Sequence, residues 1–394
     1  MYRRDIKGFL PEIIEGMFEK RKQFKQLMLA AQQENEINPS EKLKKKIAGY
    51  RVKEQGLKVC LNACYGSLGS PYHRFYDLRN AEAVTSWGKL AIRWASNKLN
   101  EYFNNALNTT DVDYVIYIDT DSLFLNVQQL VDKVFENKEP KKEQVINFLD
   151  KLFATKIQDY LNKSYDELAD YMHSYAQKLH MKREKIADSF IILAKKKYFI
   201  NVWDNEGVRY SEPKLAITGL EAIKSSTPKF CKEKIKEAFS IFVNGTEQEL
   251  INFIEQTRKE FFKLSPEEVS FPRGISDLIK YQDHKNIYKK DVTVPMNARA
   301  SLLYNHYITQ KNLTNKYPLI RNGDKIKFCY LTLPNPIKEN VIAFVQRFPK
   351  ELNLAEYVDY NTQFDKTFLQ PLRPILSIIG WEEKETNSLD NFFL

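Results

Sequence analysis

The sequence predicts an α+β protein: a helical hairpin over the first 70 residues, an α/β middle part with an antiparallel sheet, and a mostly helical last part. Three observations predict it. Apolar residues recur at helical spacing on either side of residues 35–39, a run of strand-forming side chains from Tyr114 to Leu125 is split by a polar turn, and two helical patterns follow Gly219.

Pro11 suits the first turn of a helix, and Ile13, Ile14, Met17, Phe18, Phe24, Leu27 and Met28 line one side of it to about Gln33. Residues 35–39 break that pattern. Ser40 is the expected N-cap of a second helix through Leu43, Ile47, Val52 and Leu57 to about Tyr65, before Gly66, Gly69 and Pro71 end it. Residues 81–103 carry a third helical pattern, a charged helical region extends to about Met181, and residues 198–203 belong to a β-rich segment. Further on, residues 232–243 and 247–262 are helical and 325–333 strand-like, before a final helical stretch and an irregular tail.

A chain of 394 residues can bury the cores of two or three domains. Its 60 Lys and Arg against 51 Asp and Glu give a net charge of +9, with clusters at Lys44–Lys46, Lys141–Lys142, Lys195–Lys197 and Lys289–Lys290. Such clusters are read either as solvated helix faces or as the footprint of a polyanion, and 13% aromatic residues fit nucleic acid. The four cysteines form no disulfide framework. Cys60 and Cys64 stand at i,i+4 without a second ligand pair and are expected as buried, reduced helix residues rather than zinc ligands. No run of about 18 apolar residues exists and the N-terminal residues lack a signal-peptide core, so no membrane partner and a cytoplasmic location are expected.

In Asp119-Thr120-Asp121-Ser122 two carboxylates stand one residue apart between strand-like flanks, at the expected tip of a β-hairpin. Two readings are open: an Asx-rich surface turn, or a pair whose mutual repulsion is relieved by hard divalent cations, Mg2+ foremost. On the second helix Lys58, Asn62 and Tyr65 fall at i, i+4 and i+7, an ammonium, an amide and a phenol on one face. Arg21 on the first helix adds a planar fork that binds phosphate oxygens in a bidentate way. The alternative is ordinary amphipathicity. Gly66-Ser67-Leu68-Gly69 has the spacing of neither a P-loop nor a dinucleotide fingerprint, so triphosphate binding here rests on side chains.

Taken together, these residues carry a resemblance. Lys58 to Gly69, followed by Arg74 to Ala81, resembles motif B of family B DNA polymerases, particularly those of tailed bacteriophages, and the carboxylate hairpin resembles their motif C. Lys195-Lys196-Lys197-Tyr198 is similar to the family's basic motif at the primer-template minor groove. Glu212-Pro213-Lys214-Leu215, Gly219-Leu220-Glu221 and Ser225-Ser226-Thr227-Pro228-Lys229 resemble its passage from palm to thumb. The resemblance covers almost the whole chain and implies fingers over residues 1–70, part of a palm over 71–219 and a thumb over 220–394.

Carried over by position, it implies Asp121 as the principal ligand of two Mg2+ ions and Asp119 as a weaker acid beside it. Arg21 and Lys58 would hold the dNTP triphosphate, with Asn62 beside them and Tyr65 at the nascent base pair. Lys195, Lys196, Lys197, Tyr198, Gly66 and Tyr304 would contact primer-template DNA. Glu184 stands where the family often has an Asp-x-Glu near the metals, but Lys182 replaces the first acid, which puts its metal role in doubt. Leu389, Phe392 and Phe393 resemble the tail with which replicative polymerases dock on a sliding clamp, with Thr386 in place of the usual Gln.

The family's motif A, which supplies a second bridging carboxylate and the sugar-discriminating tyrosine, is absent, as are its exonuclease regions. Either the chain is a cut fragment, or the polymerase is divided and an N-terminal polymerase/exonuclease polypeptide is the partner; division is the expectation. The expected reaction is template-directed DNA synthesis, in the cytoplasm of the host cell if the protein is viral. The alternative is a catalytically silent nucleic-acid-binding subunit that keeps the fold.

Overall fold

A computed structural model describes residues 5–136, 140–283 and 285–384. The chain divides into two units, one of residues 1–189 with 201–214 and one of residues 190–200 with 215–394.

The first unit opens with two long helices, α1 (Phe9–Ile37) and α2 (Glu41–Leu68). The turn between them is local chemistry. Pro39 excludes the helical conformation at the residue before it, and Asn38 accordingly sits at φ −130°, ψ 83°, with its N–H returned to Glu34. Nothing earlier stops the helix, so α1 runs past the expected end near Gln33. Ser40 caps α2, its Oγ accepting from the Leu43 N–H at 3.2 Å. The face shared by the two helices changes along its length: Ala31, Leu43 and Ile47 are buried with Met28 near the turn, then the Phe24 and Tyr50 rings meet at 6.5 Å, then Arg21 pairs with Glu54. Beyond that point little is covered. Cys60 is exposed and Cys64 half-buried, contrary to the expected buried pair, because the apolar core of this hairpin lies at its other end.

Helix α3 (Leu78–Leu107) is capped by Asp77 and ends at Asn108 in the left-handed region. Its Ala91, Ala95, Leu99 and Phe103, successive i,i+4 positions, form one core with Ile157 and with Leu161, Tyr165 and Leu168 of a later helix. Next comes an antiparallel hairpin, β1 (Val115–Asp119) and β2 (Ser122–Leu125), joined by Thr120 and Asp121 with Thr120 at φ 59°. Helices α4 (Gln128–Val134), α5 (Lys142–Leu152) and α6 (Gln158–Tyr171) follow, the last two joined through a π-helical turn, Phe153–Ile157.

Strands β3 (Lys185–Ala194), β4 (Lys197–Asn205) and β5 (Val208–Thr218) form a sheet in that order, and their residues are divided between the two units. Their connections, Lys195-Lys196 and Glu206-Gly207, have two residues each and oblige antiparallel pairing.

The second unit holds α7 (Lys229–Asn244), α8 (Glu247–Phe261), the short helices α9 (Pro266–Val269) and α10 (Leu278–Tyr281), α11 (Met296–Gln310), α12 (Tyr360–Phe364) and α13 (Gln370–Ile379). With them lies an antiparallel sheet of β6 (Phe271–Gly274), β7 (Lys325–Tyr330) and β8 (Val341–Phe344). Thr246 and Glu249 start α8 with a reciprocal cap. The Phe199 ring stacks on Phe239 of α7 at 4.6 Å, tying β4 into a core that α11 crosses with Ala300, Leu303 and Tyr304 almost wholly buried. The fold is thus α+β, helices with small antiparallel sheets, as the sequence predicts. Among the described residues no helix is long and apolar enough to cross a membrane.

One close approach fixes the Lys195-Lys196 turn. Gly219 has φ 67°, and a Cβ there would stand 2.1 Å from the Lys196 carbonyl oxygen. Gly219→Ala should therefore destabilise the second unit by about 1 to 3 kcal/mol, the scale of one strained backbone position, with the loss read from chemical denaturation. A midpoint equal to wild type would contradict this packing.

Candidate active site

The carboxylate turn is positioned from behind by α3. Asn100 Oδ1 accepts from the backbone N–H groups of Tyr114 (2.9 Å) and Val115 (3.0 Å), while its Nδ2 donates to Asp113 at 2.9 Å. One turn on, Asn104 Oδ1 accepts from the Val112 N–H at 3.1 Å and its Nδ2 donates to the Val112 carbonyl at 2.8 Å. Tyr114 is 3% exposed, packs its ring on Phe103 at 5.5 Å and donates its hydroxyl to Gln129 at 3.0 Å. The segment leading into β1 therefore has its polar groups paired, and β1 leaves α3 in one direction.

At the far end the Asp121 N–H donates to the Asp119 carbonyl at 2.7 Å, and the Ser122 and Thr120 hydroxyls donate to the Asp119 carbonyl and carboxylate at 3.1 Å each. Asp119 is half-buried; Asp121 is exposed and its carboxylate has no hydrogen-bond or ion-pair partner among the described residues. Two carboxylates with only oxygen donors at an open turn fit a hard divalent cation, of the kind that takes one or two carboxylates and completes its shell with water and phosphate. Among the described residues no third His, Cys, Asp or Glu joins them, so the structure does not bring Glu184, which is exposed, to this pair.

On α2, Lys58, Asn62 and Tyr65 are all exposed, share one helix face and are 11 residues or fewer from Glu54. Arg21 is drawn to the same stripe through Glu54, one turn before Lys58. Gly66 is an ordinary helical position with open space around its Cα. Lys195, Lys196 and Lys197 are exposed at the β3–β4 turn, whereas Tyr198 is buried, its ring edge-on to Phe190 at 5.4 Å beneath that turn. Tyr304 corrects an expectation. It is 1% exposed, its hydroxyl donates to the Pro318 carbonyl, and burial pushes its phenol up to about 12, so it packs the core and offers DNA no surface. The reason is that α11 is buried on nearly every side, which a helical period alone does not disclose. The expected clamp-binding residues Leu389, Phe392 and Phe393 lie outside the described residues.

Sequence reasoning missed one cluster. Asp204 on β4, fully buried, pairs with Arg183 and Arg209, and both arginines also reach Asp150 of α5. Asp204 Oδ2 meets Arg209 Nε at ion-pair distance without hydrogen-bond alignment. Loss of either arginine would leave one oxygen of the buried Asp204 carboxylate without its cationic partner, so the cluster locks α5, the segment before β3 and the β4–β5 hairpin together. Arg183 beside Glu184 was the only sequence signal.

The family described as "DNA polymerase family B" matches residues 2–168, and "Divergent Family B DNA polymerase" matches residues 105–255. The "DNA-directed DNA polymerase" of Escherichia phage RB69 is 30% identical over 100% of this chain and 49% of its own length. That of Enterobacteria phage T4 is 30% identical over 85% of this chain and 38% of its own. A "DNA polymerase" of Pyrococcus glycovorans is 24% identical over 91% of this chain and 38% of its own. The chain thus spans about half the length, or less, of the relatives it matches. Polar helix face, carboxylate hairpin and basic turn occur in one chain that these matches span, and the chain belongs to the family B DNA polymerases, of the bacteriophage type.

Proposed function

We propose that this chain catalyses template-directed DNA synthesis, transfer of a nucleotide from a dNTP to a primer 3′-hydroxyl, as the C-terminal subunit of a divided polymerase. The observation that carries the reading is the Asp119–Asp121 turn, braced by α3, in a chain of this family. Residues 1–70 act as fingers, 71–219 as part of the palm and 220–394 as the thumb.

Asp121, with Asp119 beside it, would hold two Mg2+ ions. When bound, these would make the attacking 3′-hydroxyl easier to deprotonate and would neutralise charge on the leaving pyrophosphate. Lys58 and Arg21 bring positive charge to the triphosphate, Asn62 donates to a phosphate or sugar oxygen, and Tyr65 lies against the base. Lys195, Lys196 and Lys197, projecting from a turn pinned on Gly219, meet the phosphates of primer-template DNA. Tyr198 supports that turn from beneath rather than touching DNA itself.

The partner polypeptide supplies motif A, the facing carboxylate and the exonuclease. Two features support it: no third ligand joins the pair among the described residues, and the hairpin leaves Ile116 and Ile118 46% and 38% exposed on one face. Phe9, Phe75 and Leu78 are also exposed in the same unit, the composition of an obligate interface. In this reading the protein works in the host cytoplasm and its C-terminal tail docks on a sliding clamp. The catalytically silent alternative draws on the same missing ligand, and activity measurements separate the two.

Asp121→Ala should abolish incorporation by the assembled enzyme while primer-template affinity stays nearly unchanged, since duplex binding rests on phosphate contacts elsewhere. Near-normal turnover would sink the metal assignment. Lys58→Ala should weaken dNTP use by about 1.5 to 3 kcal/mol, the scale of a charged hydrogen bond, read as kcat/KM for dNTP.

The chain alone should polymerise poorly or not at all, and gain activity when mixed with a polypeptide carrying motif A and the exonuclease. Primer extension by each component and by the mixture decides this; robust synthesis by the single chain would overturn the divided site.

A further inference from the structure

Arg21 does not stand open to a ligand in this structure. Its Nε donates to Glu54 Oε1 at 2.8 Å, and its Nη2 stands at ion-pair distance from the same oxygen, also 2.8 Å. The side chains of the pair are 23% and 11% exposed, so Glu54 is a nearly buried carboxylate between two helices. It precedes Lys58 by four residues on α2, on the stripe that continues to Asn62 and Tyr65. Lys25, four residues after Arg21 on α1, is likewise paired, with Glu206. Lys58 makes no ion pair among the described residues.

We propose that Glu54 is an internal competitor of the anionic ligand of this face: its carboxylate occupies the guanidinium that a polyphosphate chain would otherwise take. The inference rests on the reading of this face as a triphosphate site. A carboxylate oxygen presents to Arg21 the same acceptor geometry as a phosphate oxygen. A ligand that draws Arg21 away leaves a buried carboxylate without its counter-charge, a cost that a multiply charged ligand engaging Lys58 as well can offset and a singly charged one cannot. Resting affinity is held down, and binding is tied to a rearrangement of α1 against α2. Repulsion from Glu54 also grows with the charge of the ligand.

Calorimetric titration of the full chain with tripolyphosphate and with orthophosphate tests this. Glu54→Gln should bind tripolyphosphate roughly ten-fold tighter than wild type, as expected for removing one nearby negative charge, with a smaller gain for orthophosphate. The gain should vanish in the Arg21→Ala/Glu54→Gln double variant. An unchanged or weaker affinity of Glu54→Gln, or a gain that survives without Arg21, would overturn the proposal. Should Glu54→Gln fail to fold, Glu54→Asp, whose oxygens are drawn back by one methylene, gives the same comparison with a smaller gain. If Arg21→Ala and Lys58→Ala both bind tripolyphosphate as wild type does, the triphosphate reading itself fails; if both lose affinity while the Glu54 variants gain none, only the competitor role does.

Discussion

Two asparagine side chains at the end of α3 hold the geometry on which the rest of the first unit depends. Asn100 and Asn104 satisfy the backbone N–H groups of residues 112, 114 and 115, the segment that would otherwise run from a helix into a strand with its donors unpaired. A two-stranded hairpin on its own is marginal in water. Here it leaves a long helix through amide bonds on one side and the buried Tyr114 ring on the other, so the carboxylate turn has a fixed origin. The acids need not be rigid themselves. Their distance from α3 is set by the length of β1, and their separation by a two-residue turn.

The same economy recurs elsewhere in the protein: polar side chains, more than apolar bulk, define the joints. The helical hairpin has a small core near its turn and passes to an Arg21–Glu54 pair where function is proposed. The β4–β5 turn carries a buried aspartate between two arginines. Buried ion pairs add little net stability over apolar packing, but they are intolerant of a missing partner, which suits places where register matters. The second unit is different in kind, with a continuous aromatic and aliphatic core through β4, α7, α11 and β8.

Much of this was legible in the sequence, for local reasons. Pro39 and Ser40 punctuate the helical hairpin, and strand-forming side chains from Tyr114 to Leu125 flank a polar turn, so those elements and the acids at the tip are legible to within a few residues. What stayed hidden depends on contacts distant in sequence. Asn100 and Asn104 read as solvated helix residues until the strand beside them is known; Glu54 reads as a surface charge until Arg21 meets it, 33 residues away. Tyr304 carries the same lesson, since a helix enclosed on nearly all sides shows no face by which to tell core from surface. Cys60 and Cys64 differ in the opposite sense, because helical spacing alone does not provide cover and the partner helix gives them little.

The central claim is that the Asp119–Asp121 turn is a cation site on this chain. Paramagnetic line broadening by Mn2+, followed residue by residue in the isotope-labelled protein, tests it most directly. The account predicts that the first resonances to broaden at low Mn2+ are those of residues 119–122, that Mg2+ restores them, and that Asp121→Asn removes the effect. Broadening centred elsewhere, or unchanged in Asp121→Asn, would contradict it.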